Sequence, residues 1–257
     1  MCFYYSINKK EPNSLVNKGI TTKKQVGSIP NRIVANGFSR PLMPVITNTQ
    51  PGSIQYFKWG FIPNTINSSK KEANFSKRYN TLNARGEGLL QSNIYKVPAQ
   101  SNRCLVLASG FFEWRHIGNH KIPYYISLKD SSLFAFAGIW DQWIDECGSK
   151  NYTYSIVTTK ANTLMAHIHN TKKRMPAILL PCKAKEWLQE DIENSSFDDF
   201  LKPIDSNQLT AYTIKNFHPI SKEVEMDYSV ITPHDYPEYL ARGNKNKDEG
   251  NQLTINF

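Results

Sequence analysis

Leu105–Trp114 (LVLASGFFEW) and Leu133–Trp143 (LFAFAGIWDQW) are the stretches of sequence that decide the fold. Both are short, rich in aromatic and β-branched residues, and bounded by polar turns, which is typical of strands buried in a sheet. Tyr124–Leu128 and Tyr152–Thr159 have the same character. The middle of the chain is therefore predicted to form consecutive β-strands.

Outside this region the pattern changes. Pro and Asn punctuate the first hundred residues, which indicates a loop-rich half with short strands. Leu164, Met165 and Ile168 give Ala161–His169 a short helical pattern, and a second helix is predicted to start at Lys183–Leu188. The sequence predicts an α+β fold built on antiparallel sheet, and the pattern alone leaves open whether that sheet closes into a barrel.

Length and composition fit one domain. The chain has 257 residues, of which 40% are hydrophobic and 12% aromatic, enough for a large core. We predict a single domain over residues 1–235 and a polar C-terminal tail over residues 236–257. No apolar run approaches the roughly 18–20 residues that span a bilayer, and no secretory signal is visible, so a cytoplasmic protein without membrane contact is expected.

The net charge and the cysteine content restrict the functions that the chain can have. The net charge of +9 favours polyanions, among which nucleic acid is the commonest inside cells, although a solvated lysine-rich surface explains it equally well. The four cysteines, Cys2, Cys104, Cys147 and Cys182, have no metal-ligand or redox spacing and are expected to be free thiols. The sequence therefore predicts neither a metal site nor a cofactor.

Cys2 is distinguished by its position. Removal of Met1 would leave an α-amine and a thiol on adjacent carbons, and such a 1,2-aminothiol condenses with an aldehyde to a thiazolidine. The α-amine ordinarily titrates near ~8 and the thiol near ~8.5, so both nucleophiles are expected to be available with little tuning. The alternative is that Cys2 is an idle or packed second residue.

Asn83 and Arg85 lie two residues apart in a stretch that reads TLNARGE from Thr81. In a strand they would share one face, so that Asn83 could orient a small reactive group while Arg85 binds a phosphate. The pattern thus predicts a polar face able to hold both a reactive group and a phosphate.

Glu113 lies within an aromatic strand, on the same face as Phe111 and opposite Phe112 and Trp114. A carboxyl group in that setting could shuttle protons. A sheet-edge carboxylate paired with Arg115 or a lysine is the alternative.

His169 follows a short helix and precedes the basic run Lys172-Lys173-Arg174. This arrangement suits a proton donor beside a phosphate-binding segment, and a helix C-cap histidine in a solvated loop is the alternative.

Taken in order, these motifs resemble the SOS response-associated peptidase (SRAP) family, which includes abasic-site processing proteins. The matching stretches run from residue 1 to about residue 180, and the rest of the domain continues to roughly residue 235. They are Met1-Cys2, Trp59-Gly60-Phe61-Ile62-Pro63, Asn83-Ala84-Arg85-Gly86-Glu87, Gly110-Phe111-Phe112-Glu113-Trp114, Phe136-Ala137-Gly138-Ile139-Trp140, Thr158-Thr159-Lys160-Ala161-Asn162, and Ile168-His169 with Arg174-Met175-Pro176.

The resemblance implies a single domain with a β-barrel-like antiparallel core and flanking helices, and a groove for single-stranded DNA. It implies that Cys2, exposed by removal of Met1, senses abasic sites and forms a covalent thiazolidine crosslink, and that the protein has autopeptidase and lyase-type activity. Asn83 would position Cys2, Glu113 would assist proton transfer and Met1 removal, and His169 would act as an acid on the sugar. The implied partner is single-stranded DNA with abasic sites, bound by a monomer.

The resemblance also implies contacts to DNA by five side chains, namely Arg85, Lys172, Lys173, Arg174 and Trp59. The chain departs from the family pattern in three places. Phe3-Tyr4 follow Cys2 where Gly-Arg is common, Thr65 stands where a second tryptophan is common, and Thr171-Lys172-Lys173 lengthen the histidine loop.

Two other functions fit part of the sequence. An N-terminal-nucleophile amidohydrolase also begins Met-Cys, but glutamine hydrolysis has no use for a charge of +9. A single-stranded DNA-binding module without chemistry explains the charge but leaves Cys2 and Glu113 idle. Incubation with abasic DNA distinguishes the three, because only a covalent mechanism gives a complex that survives denaturant.

Overall fold

The computed structural model describes residues 2–8, 16–27, 29, 31–130, 133–189, 192, 197–217 and 226–239. The strands, in chain order, are β1 (Tyr4–Ile7), β2 (Arg32–Asn36), β3 (Leu42–Thr47), β4 (Gln55–Trp59), β5 (Asn83–Arg85), β6 (Arg103–Ala108), β7 (Gly110–Ile117), β8 (His120–Leu128), β9 (Phe134–Ile144), β10 (Lys150–Lys160), β11 (Arg174–Pro176), β12 (Ile178–Leu179) and β13 (Leu209–Thr213). The helices are α1 (Lys23–Gly27), α2 (Ser69–Arg78), α3 (Lys96–Ser101), α4 (Thr163–Ile168), α5 (Pro181–Trp187) and α6 (Phe197–Phe200).

A closed barrel forms the centre of the fold. Its five strands follow the order β10-β4-β3-β6-β9 and return to β10, whose two edges bind β9 and β4. A second sheet, in the order β13-β8-β7-β1-β2, carries the N-terminal strand in its interior. The predicted α+β fold with a barrel-like core is confirmed. Parallel pairing of β10 with β4 and β5 departs from the predicted antiparallel sheet, because side-chain periodicity does not reveal the direction of a partner strand.

The predicted strand Leu105–Trp114 is in fact two strands that belong to different sheets, with the change at Ser109. The backbone N–H of Ser109 donates to the carbonyl of Ser6 at 2.8 Å, which turns the chain toward β1. At the next residue, a Cβ on Gly110 would lie 2.2 Å from the Tyr125 hydroxyl oxygen, so only glycine fits. This switch carries Glu113 out of the barrel wall and places it beside the N-terminal segment.

The two helices predicted near the C-terminal half are present, with shifted ends. α4 begins after Asn162, whose side-chain oxygen accepts a hydrogen bond from the Met165 N–H at 2.9 Å, and α5 begins at Pro181. α2 was not predicted, because none of its residues is buried and it therefore has no apolar stripe to detect. An ion pair of 3.0 Å between Arg40 and Glu72 ties α2 to the barrel.

The predicted boundary of the tail falls inside a packed segment. Tyr236 donates a hydrogen bond to the Ile214 carbonyl at 3.0 Å, and the Tyr239 ring lies 4.2 Å from that of His120. The rest of the predicted tail, residues 240–257, lies outside the described residues. Among the helices that the structure describes, none is long and apolar enough to cross a membrane.

Candidate active site

Cys2 lies just before β1 and is completely buried. Asn83, on β5, donates a hydrogen bond from Nδ2 to the Cys2 carbonyl oxygen at 2.8 Å. Parallel pairing with β10 positions β5, and Asn83 lies opposite Ile156 of β10. Asn83 and Arg85 both lie on β5, which is the condition under which they were expected to share a face, and this strand brings the Asn83 amide to Cys2.

The amide oxygen of Asn83 is a vacant acceptor next to Cys2. Because a carbonyl oxygen can only accept, Nδ2 must face the Cys2 carbonyl and Oδ1 must point elsewhere. Oδ1 is buried and has no hydrogen-bond partner among the residues that the structure describes. A buried acceptor costs about 1–3 kcal/mol unless it receives a hydrogen bond, so Oδ1 is able to accept one from a water or from a substrate N–H.

Glu113, on β7, is buried beside Cys2. As predicted, Phe111 on the same face packs into the main core, while Phe112 and Trp114 on the opposite face belong to a second apolar cluster. The Glu113 carboxylate is close enough to act on the Cys2 thiol electrostatically. Glu113 therefore lies next to Cys2 on a strand between β8 and β1, rather than at a sheet edge.

The Cys2 thiol is held in its neutral form. Burial raises its pKa well above the ordinary value, and the negative charge of Glu113 raises it further. The neutral thiol donates a hydrogen bond to the Tyr4 carbonyl at 3.5 Å. The expectation that this thiol needs little tuning is therefore wrong for the structure described. A neutral thiol beside a carboxylate can still react if the carboxylate takes its proton as sulfur attacks.

His169 completes the constellation. It follows α4, which packs against β7, and its Nδ1 lies 3.9 Å from Oε1 of Glu113. The same Nδ1 is 2.9 Å from the backbone carbonyl oxygen of Arg174. Since that oxygen can only accept, Nδ1 carries the hydrogen, and proton exchange with a substrate falls to Nε2. Four residues from four distant segments thus converge: Cys2, Asn83, Glu113 and His169.

A cluster of positive charge lies beside this site. Arg85 ends β5, and Lys172 and Lys173 lie in the turn between α4 and β11; all three side chains are exposed, as DNA contacts would need. Lys160 is also exposed and pairs in register with Arg174 across β10 and β11. We did not predict a role for Lys160, because it is a single lysine at a strand end and its neighbours in space come from other segments.

Arg174 is engaged within the protein. Its guanidinium forms a two-point ion pair with Glu87, at 2.5 and 2.8 Å, and donates to the Thr158 carbonyl at 2.7 Å. Burial opposes ionisation of Glu87, but the hydrogen bonds and charge of Arg174, with help from Lys160, outweigh it and hold the Glu87 pKa below its ordinary value. Arg174 therefore fixes the end of the loop that follows His169. Its predicted contact with DNA would require the ion pair with Glu87 to open.

Comparisons with known proteins identify the family of the chain. The family model described as SOS response associated peptidase (SRAP) matches residues 1–223. The chain belongs to this family. Abasic site processing protein YoqW of Bacillus subtilis is 34% identical over 180 residues, which cover 69% of this chain and 76% of that protein. Abasic site processing protein HMCES of Gallus gallus is 34% identical over 206 residues, covering 72% of this chain and 56% of its own.

Solved structures support the same assignment. A crystal structure of a protein from Bacteroides thetaiotaomicron superposes with a TM-score of 0.79 at 33% identity, covering 91% of this chain and all of that one (100%). The fold is thus shared along nearly the whole chain.

One predicted DNA contact of this SRAP chain is corrected by the structure. Trp59 is fully buried, its indole N–H donates to the Leu82 carbonyl at 2.9 Å, and its ring packs against Tyr5 with centroids 4.9 Å apart. With its polar atom satisfied and its faces covered, Trp59 is a core residue that supports the segment before Asn83. It has no surface to offer to DNA.

Proposed function

We propose that this SRAP protein recognises abasic sites in single-stranded DNA and captures their aldehyde covalently through Cys2, once Met1 has been removed. The observation that carries the proposal is the convergence of Cys2 with Asn83, Glu113 and His169. An isolated buried cysteine would need none of these neighbours. The names of the relatives, as abasic site processing proteins, support the same substrate.

The proposed reaction uses only groups of the protein and of the substrate and needs no cofactor. The α-amine of Cys2 adds to the aldehyde of the ring-opened sugar, the carbinolamine loses one water, and an imine forms. The thiol then adds to the imine carbon, and the Glu113 carboxylate takes the thiol proton and delivers it to the former imine nitrogen, which becomes the N–H of the thiazolidine ring. Asn83 Oδ1, the vacant acceptor, would hold the N–H of the attacking amine, and His169 would trade protons with the sugar oxygen.

Two further activities belong to the proposal. Glu113 can activate a water for hydrolysis of the Met1–Cys2 peptide bond, which would make the protein its own peptidase and release methionine. From the imine, removal of a proton from the sugar carbon next to the imine carbon would expel the 3′ phosphate, which is a lyase reaction. Both draw on the buried carboxylate next to Cys2.

The substrate strand is proposed to run over Arg85, Lys160, Lys172 and Lys173, whose exposed cations lie around the site. Contacts to phosphates do not depend on sequence, so this surface suits any single strand that carries a lesion. We propose that a monomer carries out the reaction, because all the groups named come from one chain.

The decisive experiment is a denaturing gel. Incubation with a single strand containing an abasic site should give a protein–DNA band that survives denaturant, because the thiazolidine is covalent. The matched control is the same strand with a tetrahydrofuran analogue, which lacks the aldehyde and should bind without crosslinking. A missing band with the abasic strand contradicts the proposal and leaves the amidohydrolase and the simple DNA-binding module.

Salt dependence tests the proposed path of the strand. Binding to the tetrahydrofuran strand should weaken with salt at a slope of about −0.7 per phosphate contacted. Replacing both Lys172 and Lys173 with alanine should make that slope shallower by up to roughly 1.4, because two contacts are lost. Lys129→Ala removes an equally exposed charge near the far end of β8 and should leave the slope unchanged. Equal slopes for the double variant and Lys129→Ala would refute this path.

A further inference from the structure

The side chain of Asn170 binds the histidine loop, residues 169–174, to the strand that carries Glu113. Its Oδ1 accepts a hydrogen bond from the backbone N–H of His116 at 3.0 Å, and its Nδ2 donates to the carbonyl oxygen of the same residue at 2.8 Å. Two residues that face each other in an antiparallel sheet exchange the same pair of bonds. One amide thus takes the part of a strand partner, in a contact here called the Asn170 clasp.

The clasp lies at an edge of β7 that the neighbouring strand leaves uncovered. β8 pairs with β7 from Phe111 to Ile117, whereas β1 pairs with it only at Gly110 and Phe111 in the part of the chain that the structure describes. His116 directs its N–H and carbonyl to the Asn170 amide rather than to β8, because both groups of a strand residue point to one edge. Asn170 therefore extends the cover of the edge that β1 begins.

The clasp and Arg174 anchor the two ends of the histidine loop. Asn170 directly follows His169, and Arg174 is held at the other end by its ion pair with Glu87. The residues that lengthen the loop, 171–173, lie between these anchors and are exposed. A longer loop has more conformations to lose when it is ordered. The clasp separates His169 from that freedom, so the position of the imidazole does not depend on the added residues.

We propose that Asn170 is a positioning residue that holds His169 at its working distance from Glu113. The inference rests on the proposed function, in which these two side chains exchange protons with the reacting groups. Nδ1 of His169 lies 3.9 Å from Oε1 of Glu113, and Glu113 precedes His116 by three residues on β7. The clasp therefore ties the imidazole to the strand that carries the carboxylate.

The rate of reaction should be sensitive to this tie. Displacement of a reacting group by about 1 Å can cost roughly 10²-fold in rate, even when the substituted residue touches no substrate. Asn170 is adjacent to His169 in sequence, so loss of the clasp frees the imidazole directly. Its partner groups belong to the backbone of His116, and replacement of the His116 side chain leaves the clasp intact.

The proposal is tested with Asn170→Ala and the matched control Thr171→Ala, since Thr171 is also exposed and is the next residue of the loop. Each substitution is made in wild type and in His169→Gln. The kinetic readouts are the rate of adduct formation at a saturating abasic single strand and the strand concentration that gives half that rate. Amide hydrogen exchange at His116, followed by NMR, reports the clasp itself.

We expect Asn170→Ala to slow adduct formation at saturating strand by up to about 10²-fold. The half-saturating concentration should stay close to that of wild type, because the exposed cations around the site are retained. In His169→Gln, the same substitution should slow the reaction no further, because a residue that acts through His169 has nothing left to position. Exchange at His116 should be faster in Asn170→Ala, and Thr171→Ala should match its parent in every measurement.

Equal slowing by Asn170→Ala in wild type and in His169→Gln would overturn the proposal, since a general loss of structure acts in both. A wild-type rate in Asn170→Ala would overturn it as well, even with faster exchange at His116. Failure of the proposed function gives a different result. If wild type forms no adduct, the covalent proposal falls, whereas faster exchange at His116 in Asn170→Ala still shows that the clasp holds the histidine loop on β7.

Discussion

Replacing Cys2 with alanine is expected to abolish the denaturant-stable adduct with abasic DNA while leaving non-covalent binding to the tetrahydrofuran strand intact. Alanine keeps the α-amine, so an imine can still form, but no thiol is present to close the ring, and imines hydrolyse. Borohydride, which reduces an imine to a stable amine, should therefore restore a band in Cys2→Ala. A stable adduct from Cys2→Ala without borohydride would contradict the mechanism.

The other cysteines supply matched controls for this experiment. Cys147 and Cys182 are exposed thiols, so they are more accessible to a diffusing aldehyde than the buried Cys2. Their nitrogens are amides, however, and cannot form an imine. Cys147→Ala and Cys182→Ala should crosslink as wild type does, and an extra residue placed before Cys2 should act like Cys2→Ala because it converts the amine into an amide.

The pH dependence of crosslinking follows from the state of the thiol. Burial and the Glu113 charge raise the pKa of the Cys2 thiol, so the thiolate is scarce at neutral pH. The first bond should then come from the α-amine, which ordinarily titrates near ~8. Deprotonation activates this amine, so the rate of adduct formation should rise with pH up to about 8 and level off as the amine becomes fully deprotonated.

The strand pattern predicted much of this fold because the central strands are buried and aromatic. Phe134–Ile144 and Lys150–Lys160 differ from the predicted strands by one or two residues at each end. The break at Ser109 was not predictable, because it depends on the close approach of Tyr125 to Gly110, and Tyr125 comes from the next strand. Helix α2 gave no apolar periodicity at all, since none of its residues is buried.

The sequence could likewise identify some of the site residues but not others. Cys2 and Glu113 could be selected because their positions suggest chemistry, one at the N-terminus and the other in an aromatic strand. The ion pair of Arg174 could not be foreseen, because its partner, Glu87, lies far away in sequence and a local run of basic residues does not show that one of them is already paired. The DNA contact predicted for Trp59 was wrong because a motif does not show whether its tryptophan is buried in the core or exposed on a DNA-binding surface.

Glu113 and His169 are expected to have different roles that mutation can separate. Glu113 is coupled to the thiol, whereas the Nδ1 hydrogen bond of His169 to the Arg174 carbonyl leaves Nε2 for proton exchange with the sugar. The shape-conserving variants are Glu113→Gln and His169→Gln. Each should slow adduct formation by roughly 10²- to 10⁴-fold, the usual contribution of a general acid or base.

The readouts are time-resolved crosslinking and the intact mass of each variant. His169→Gln should have a correctly processed N-terminus and a slow reaction, because opening of the sugar is impaired. Glu113→Gln should retain Met1 if the protein removes it itself, and should crosslink slowly even when Met1 is removed by an added aminopeptidase. His116→Gln, in which an imidazole farther along β7 is replaced, is the matched control and should match wild type.

A double variant then tests whether the two residues act together. Glu113 and His169 lie 3.9 Å apart, within the range where substitutions stop being additive. If protons pass between them, the double variant should lose little more rate than the slower single variant. Independent roles instead predict that the two losses multiply. His169→Gln with wild-type rates of both adduct formation and reversal would contradict its assigned role, and the acid would have to be sought in another group that reaches the sugar.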